Sequence, residues 1–463
     1  MPDLPQPITP TDGMIITQDT ALAPGDYFLP NGIEIGADGV TLDGNGARLI
    51  GHGQQGAGVR IAGRQGVTVR NLRLFSYRHG IRAEDADGLT LEGNTVRDTE
   101  EIPHDTIFLD IWKGPEASYG GGILLVRCTN SRVEDNDLQH QMNGLLTYFC
   151  RHLIVRGNVA SYNSGYGFHL FGTCDSVFER NWADYCCRFQ KRGNESGEAL
   201  PDKPDFRYGH MGADATGFLI IHASCRNVFR QNLARMGGDG FFLSGRSADG
   251  RDVDCSDNLF EENDGSLSPN IAFEATFSSR NTFRNNYADR CNYGFWLAFS
   301  QDVVVENNRV VMNRQAGIAA ENAHRLRVRD NTFQANGHGL LLWSRRAPEW
   351  AEELPEHRTS YEWLIEGNNF TRNGKGIRIA ANQDHGIRPA ADDQKGGEEA
   401  RPHDHTIRKN DIQDNRVGIE LIGADGTRIE GNILNRNAEA DLRQDDTRDT
   451  AAVNNLGSAG GYL

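Results

Sequence analysis

Residues 294–339 read GFWLAFSQDVVVENNRVVMNRQA, then GIAAENAHRLRVRDNTFQANGH, then Gly339. The two lines are one unit written twice. Each has a glycine, an apolar-x-apolar triplet, an asparagine fourteen residues after the glycine (Asn308, Asn331), a second asparagine five later (Asn313, Asn336) and a new glycine. Neither line contains a helix-length periodic run. Both contain short alternating stretches such as Val303-Val304-Val305, bounded by Asn or Gly, which signal strands and turns. A unit this short cannot bury its own apolar face, so it must stack on its neighbour.

The unit recurs in both directions with a period of 22 to 23 residues, opening at Gly32, Gly58, Gly80, Gly122, Gly144, Gly167, Gly217, Gly240, Ala272, Gly294, Gly317, Gly339, Gly376 and Gly418. The marker asparagines include Asn94, Asn136, Asn158, Asn181, Asn258, Asn286, Asn368, Asn410 and Asn432. Asparagine is expected at one corner because it tolerates left-handed backbone angles and because stacked amides hydrogen-bond along a column. On these residues the sequence resembles the right-handed parallel β-helix families, which include pectin-degrading enzymes, alginate C5-epimerases, polysaccharide hydrolases, phage tailspikes and copper-maturation solenoids. The resemblance implies an all-β, right-handed parallel β-helix solenoid of about 14 coils over residues 32–440, with an N-terminal cap at 1–31 and a C-terminal cap or tail at 441–463. It says little about activity, because one scaffold hosts many.

Composition bounds the function. Of 463 residues, 38% are hydrophobic and 53 are glycine, and the net charge is −16. That charge opposes broad capture of nucleic acid or anionic membranes, and no basic stripe offsets it. No apolar run approaches membrane-spanning length, and Met1-Pro2-Asp3-Leu4-Pro5 opens without a targeting pattern, so a cytoplasmic location is expected. The eight cysteines lack metal-type spacing. Cys128, Cys150, Cys174 and Cys225 fall at one place in successive coils and read as a buried column, while Cys187 is expected to be more exposed than Cys186. No cofactor or metal is expected.

In the strand after each glycine, positions one and three are apolar, as in Ile33/Ile35 and Phe295/Leu297, and face the core. Position two faces out and runs Glu34, Arg60, Arg82, Leu124, Leu146, His169, Leu219, Phe242, Glu274, Trp296, Ala319, Leu341, Arg378, Glu420, and position four adds Tyr148, Phe171, Ile221, Glu321 and Trp343. The ends of this face are charged and its middle is apolar. Insertions near 99–120 and 187–215 enter just before the strand, and others near 345–362 and 383–405 just after it. They are expected to wall an aromatic cleft on this face.

Aromatic faces beside carboxylates suit carbohydrate, so Trp296, Phe242, Tyr148, Phe171 and Trp343 are read as a sugar platform. Glu274, with strand neighbours ~4.8 Å away on each side, is expected to be partly desolvated by Phe242 and Trp296, which raises a carboxyl pKa and suits a glycosidase acid. Glu321 is the expected partner, ~9 to 10 Å along the axis and ~7 Å across, with Asp239 as the rival at the corner before Gly240. His169 faces out on the same sheet, and His222 falls where a bulge re-aims side chains. Asp214 and the loop residues Lys191, Arg192 and His210, together with Arg188 and Arg207, are expected to bind substrate. Pro103-His104-Asp105 resembles part of the Asp-Pro-His-Asp tetrapeptide of alginate C5-epimerases, which implies roles for His104 and Asp105, although Ile102 replaces the first Asp. The expected function is that of a glycoside hydrolase on an oligosaccharide or glycoside. The alternatives are a uronate-specific lyase or C5-epimerase, and a non-catalytic assembly solenoid that forms a homo-oligomer, such as a trimer, through the exposed sheet.

Overall fold

The computed structural model describes residues 6–457 apart from 104–105, 107–108, 191–209, 212–214, 247–252 and 348–352. It is a right-handed parallel β-helix without α-helix among the described residues. The chain divides into two compact units, Met1–Phe242 with Ser247–Val253, and Leu243–Arg246 with Asp254–Leu463.

In the N-terminal unit the first sheet stacks Ile15–Ile16, Ile33–Ile35, Ala57–Ala62, His79–Glu84, Gly121–Val126, Leu145–Tyr148, Phe168–Phe171 and Thr216–Ile221. In the C-terminal unit it stacks Ile271–Thr276, Tyr293–Trp296, Ala316–Glu321, His338–Ser344, Lys375–Ala381, Val417–Ile422 and Ala440–Asp445. A second sheet repeats this order with three-residue strands such as Val304–Glu306, and short third-sheet strands such as Arg309–Val311 close the coil. Parallel strand pairing is thus already present at Ile15–Ile16, inside the segment read as a cap, and still present at Ala451–Val453. All described coil-to-coil pairing is parallel and in register, as in Ile123↔Leu145 and Leu145↔Phe168. Each inward position therefore meets its own kind. Phe218 stacks between Phe168 and Phe241 with centroids 4.6 and 4.8 Å away, adding about 1 kcal/mol per pair beyond area burial.

The opening glycine is demanded by close approach. A Cβ on Gly294 would lie 2.6 Å from the Gly317 carbonyl oxygen, and one on Gly317 equally close to that of Gly339. The marker asparagines turn inward and form ladders. The Asn286 side-chain amide donates to Asn308 Oδ1 at 3.0 Å, and that of Asn308 donates to Asn331 Oδ1 at 3.0 Å and to the Phe283 carbonyl at 2.9 Å. The left-handed angle belongs to the residue just before, as in Asp135, Asn307 and Asp330 (φ 53°, 55° and 55°). The expectation that the marker itself takes the left-handed angle is therefore corrected: its value is the amide. One marker is also displaced. Asn263, not Asn258, donates to Asn286, while Asn258 joins Asn281 in a separate column.

The cysteine column is buried, with Cys128 Sγ directed at the Ala83 carbonyl and Cys150 Sγ at that of Leu125. Cys186 is buried and Cys187 partly exposed. Among the described residues no helix is long and apolar enough to cross a membrane.

Candidate functional site

The alternation of the first sheet puts every position-two and position-four side chain on one face, and register pairs them as read: Leu146↔His169, Tyr148↔Phe171, Glu274↔Trp296, Glu321↔Trp343. Facing out of the barrel is not the same as facing solvent, and the two units treat this face differently.

In the N-terminal unit the apolar strip is sealed. Leu109 and Ile111 from the 99–120 insertion join Leu124, Leu146, Tyr148, Phe171, Leu219 and Phe242 in one buried cluster, and Ile102, Trp112 and Tyr119 pack against it. The insertion lies on the strip instead of walling it, because its apolar residues gain more by covering Leu124 and Leu146 than by standing in water. Its anchor is Arg188. This buried guanidinium pairs with Glu101 at 3.0 Å and donates to the carbonyls of Pro103 and Thr106 at 2.8 and 2.5 Å. Arg188 is thus a clamp, not a free cation for substrate.

His169 was expected in an open cleft. It is 1% exposed and lies between Tyr148 and Tyr166, with ring centroids 5.1 and 5.2 Å away. Burial pushes it down to about 3, so it stays neutral near neutrality, and its Nδ1 has no hydrogen-bond partner among the described residues. His222 does sit at an irregular corner, since it and Ala223 both take left-handed angles (φ 56° and 59°). Its ring stacks on Phe171 at 4.1 Å. Asp239 opens strand Asp239–Ser244 and is buried. His210 is register-paired with Gln190 in a two-stranded antiparallel pair. His104, Asp105, Lys191, Arg192, Arg207 and Asp214 lie outside the described residues.

In the C-terminal unit part of the face stays open. Leu341, Trp343 and Ala319 are buried, and Gly386 of the 383–405 insertion packs so closely that a Cβ there would lie 2.8 Å from Leu341. At the charged end, Glu420 is buried in an ion cluster with Lys375 and Arg378, and Arg378 also donates to the Gly386 carbonyl at 2.9 Å. Glu274, Thr276 and Trp296, by contrast, remain partly exposed. Trp296 meets Trp343 edge-on at 5.5 Å and has His385 at 6.0 Å. Glu321 is buried and paired with Arg345 at 2.6 Å. Register places Glu274 opposite Trp296 and Trp296 opposite Ala319, two residues before Glu321. The two carboxylates therefore stand on strands two apart, on one face.

Sequence reasoning missed Arg345 and His385, because both reach the face from insertions whose path no periodicity describes. It also passed over a cleft at the N-terminal end of the same sheet, of roughly 400 Å³, lined by Arg60, Arg78, His79, Arg82 and Glu84 among others. The signal was present in the outward column, where Arg60 and Arg82 are successive entries. Among the described residues no cluster of His, Cys, Asp and Glu is arranged to hold a metal.

Stacked parallel coils with one face partly overlaid by the chain's own insertions define a β-helix protein. The chain belongs to the family described as right handed beta helix region, whose model matches residues 31–248 and 211–349. A second model, a family of unknown function, matches residues 297–458. No curated protein matches the chain. Among solved structures it is similar to the A-module of a mannuronan C-5 epimerase of Azotobacter vinelandii, with 15% identity over 94% of this chain and 90% of that one and a TM-score of 0.37. It is also similar to a periplasmic alginate epimerase, with 11% identity over 93% of this chain and 79% of that one and a TM-score of 0.41. A third is DFA-IIIase from Arthrobacter chlorophenolicus, with 12% identity over 61% of this chain and 69% of that one and a TM-score of 0.34. At these identities and scores the likeness says nothing about chemistry.

Proposed function

We propose that the protein is a carbohydrate-active enzyme, a glycoside hydrolase acting at the window formed by Glu274 and Trp296. The observation that carries this reading is that these two cross-strand partners stay partly exposed while Ala319, Leu341 and Trp343 beside them are buried. An indole next to a carboxyl offers a sugar both an apolar face and a proton donor. Glu274 is assigned as the acid. Glu321 is assigned as the base, its charge balanced by Arg345. The spacing of two strands suits carboxyls ~6.5 to 9.5 Å apart with a water between them, which is the inverting arrangement.

Elimination or epimerisation on a uronate is the second reading, in which the sugar carboxylate would have to share Arg345 with Glu321, its partner at 2.6 Å. An assembly role draws less support from this face than its composition suggests, since Tyr148, Phe171 and Trp343 are already covered by their own chain. The test is a glycan panel read by mass spectrometry for changes of mass and by proton NMR for epimers of equal mass. Water added across a linkage, abolished by Glu274→Gln, upholds hydrolysis. An unsaturated uronate, or an epimer of unchanged mass, selects the second reading. Full turnover by Glu274→Gln overturns the assignment of the acid.

A further inference from the structure

The cleft lined by Arg60, Arg78, His79, Arg82 and Glu84 brings three arginines together. Its floor is built by strands Ala57–Ala62 and His79–Glu84, whose register sets Arg60 opposite Arg82. Two guanidinium groups at strand spacing, ~4.8 Å between backbones, repel each other unless something negative lies between or above them. Some outward arginines are matched from the next coil, as where Arg127 pairs with Asp85 at 2.6 Å and Arg325 with Asp302 at 2.8 Å. Arg60 is exposed and has no ion pair among the described residues, not even with Glu34, its register neighbour on the other side. Arg82 pairs with Glu84 through Nε, and neither Nη group has a hydrogen bond among the described residues. Arg78, at the wall, is held by Glu100 at 3.0 Å and by the Ser118 carbonyl at 2.5 Å. His79 is buried, with Nε2 3.1 Å from the Tyr119 carbonyl oxygen, and burial keeps it neutral. The cationic character is therefore carried by arginines alone.

We propose that this cleft is an oxyanion-binding site, in which Arg60 and the free end of Arg82 hold a carboxylate, sulfate or phosphate group. Guanidinium forks match such groups in a bidentate way. The volume, roughly 400 Å³, falls in the range of small-ligand pockets. In a chain of net charge −16, a local cationic cleft also gives an anion a defined place to dock against a repulsive background. Glu274 does not line this cleft, so the site stands or falls apart from the proposed hydrolysis.

The group can be borne by an acidic glycan or be a free ion, and titration calorimetry at low salt separates the two with trigalacturonate, inorganic phosphate and neutral maltotriose. Either anion binding in preference to maltotriose, and weakening about tenfold on Arg60→Ala, upholds the site. Trigalacturonate alone assigns it to a chain-borne carboxylate, and phosphate binding at least as tightly assigns it to a free oxyanion. Arg60 is exposed and has no ion pair among the described residues, so Arg60→Ala should fold like the wild type. Arg290→Ala, which removes an equal charge elsewhere, controls for net charge. The proposal is overturned if neither anion binds better than maltotriose, or if Arg60→Ala and Arg290→Ala weaken binding equally.

Discussion

Arg188 and Glu101, 87 positions apart in the chain, meet at 3.0 Å and fasten an inserted segment over the apolar face of the first sheet. Arg188→Ala removes the donors that satisfy the Pro103 and Thr106 carbonyls. Those acceptors are left to re-solvate, at a cost of about 2 kcal/mol. Hydrogen exchange should show faster opening at Leu109 and Ile111 and unchanged protection in the C-terminal unit. Unchanged exchange at both positions would show that apolar burial alone holds the segment.

Trp296 is expected to bind and Glu274 to react. Trp296→Ala should raise KM more than it lowers kcat, because the indole contacts ground state and transition state alike. Glu274→Gln should lower kcat by about two to four orders of magnitude with KM little changed. Steady-state kinetics on the substrate found by the panel check both, and the reverse pattern would exchange the two roles.

Stability should fall on mild acidification. Burial holds His169 and His405 at about 3 in the folded chain, against about 6.5 when unfolded. The unfolded state therefore takes up more protons below 6.5, and stability is lost as pH drops from there toward 3. Each contributes about 1.4 kcal/mol by one unit below 6.5, which denaturant titrations at pH 7.5 and 5.5 can resolve. Since the His169 Nδ1 has no partner among the described residues, His169→Phe should remove its share of the slope without loss at pH 7.5.

Asn308→Ala interrupts a ladder. It deprives the Asn286 backbone and side-chain amides of their acceptor and the Phe283 carbonyl of a donor, all in a buried column. A cost of about 3 kcal/mol is expected, read as a lower denaturation midpoint. Asn307→Gly, at a left-handed residue on the same corner (φ 55°), should be tolerated or mildly stabilising.

Much of this molecule is local. The period, the glycine at each coil opening and the asparagine fourteen residues later encode close approach and amide satisfaction between neighbouring coils. The parity of each strand sorts inward from outward side chains, and Glu274 lies opposite Trp296 as that parity requires. The confusion of Asn258 with Asn263 arose where the repeat spacing breaks, so counting from the glycine lost its reference.

Which outward residues meet solvent is a separate matter, and no repeat could encode it. Leu109 and Ile111 cover the strip around Leu146, Gly386 closes over Leu341, and Arg188 reaches back to Glu101. Alternation along a strand is a property of adjacent residues, whereas exposure depends on where distant insertions find their own burial. Tertiary structure therefore left Glu274 and Trp296 partly open in the C-terminal unit, and in the N-terminal unit enclosed His169 and left Arg60 exposed.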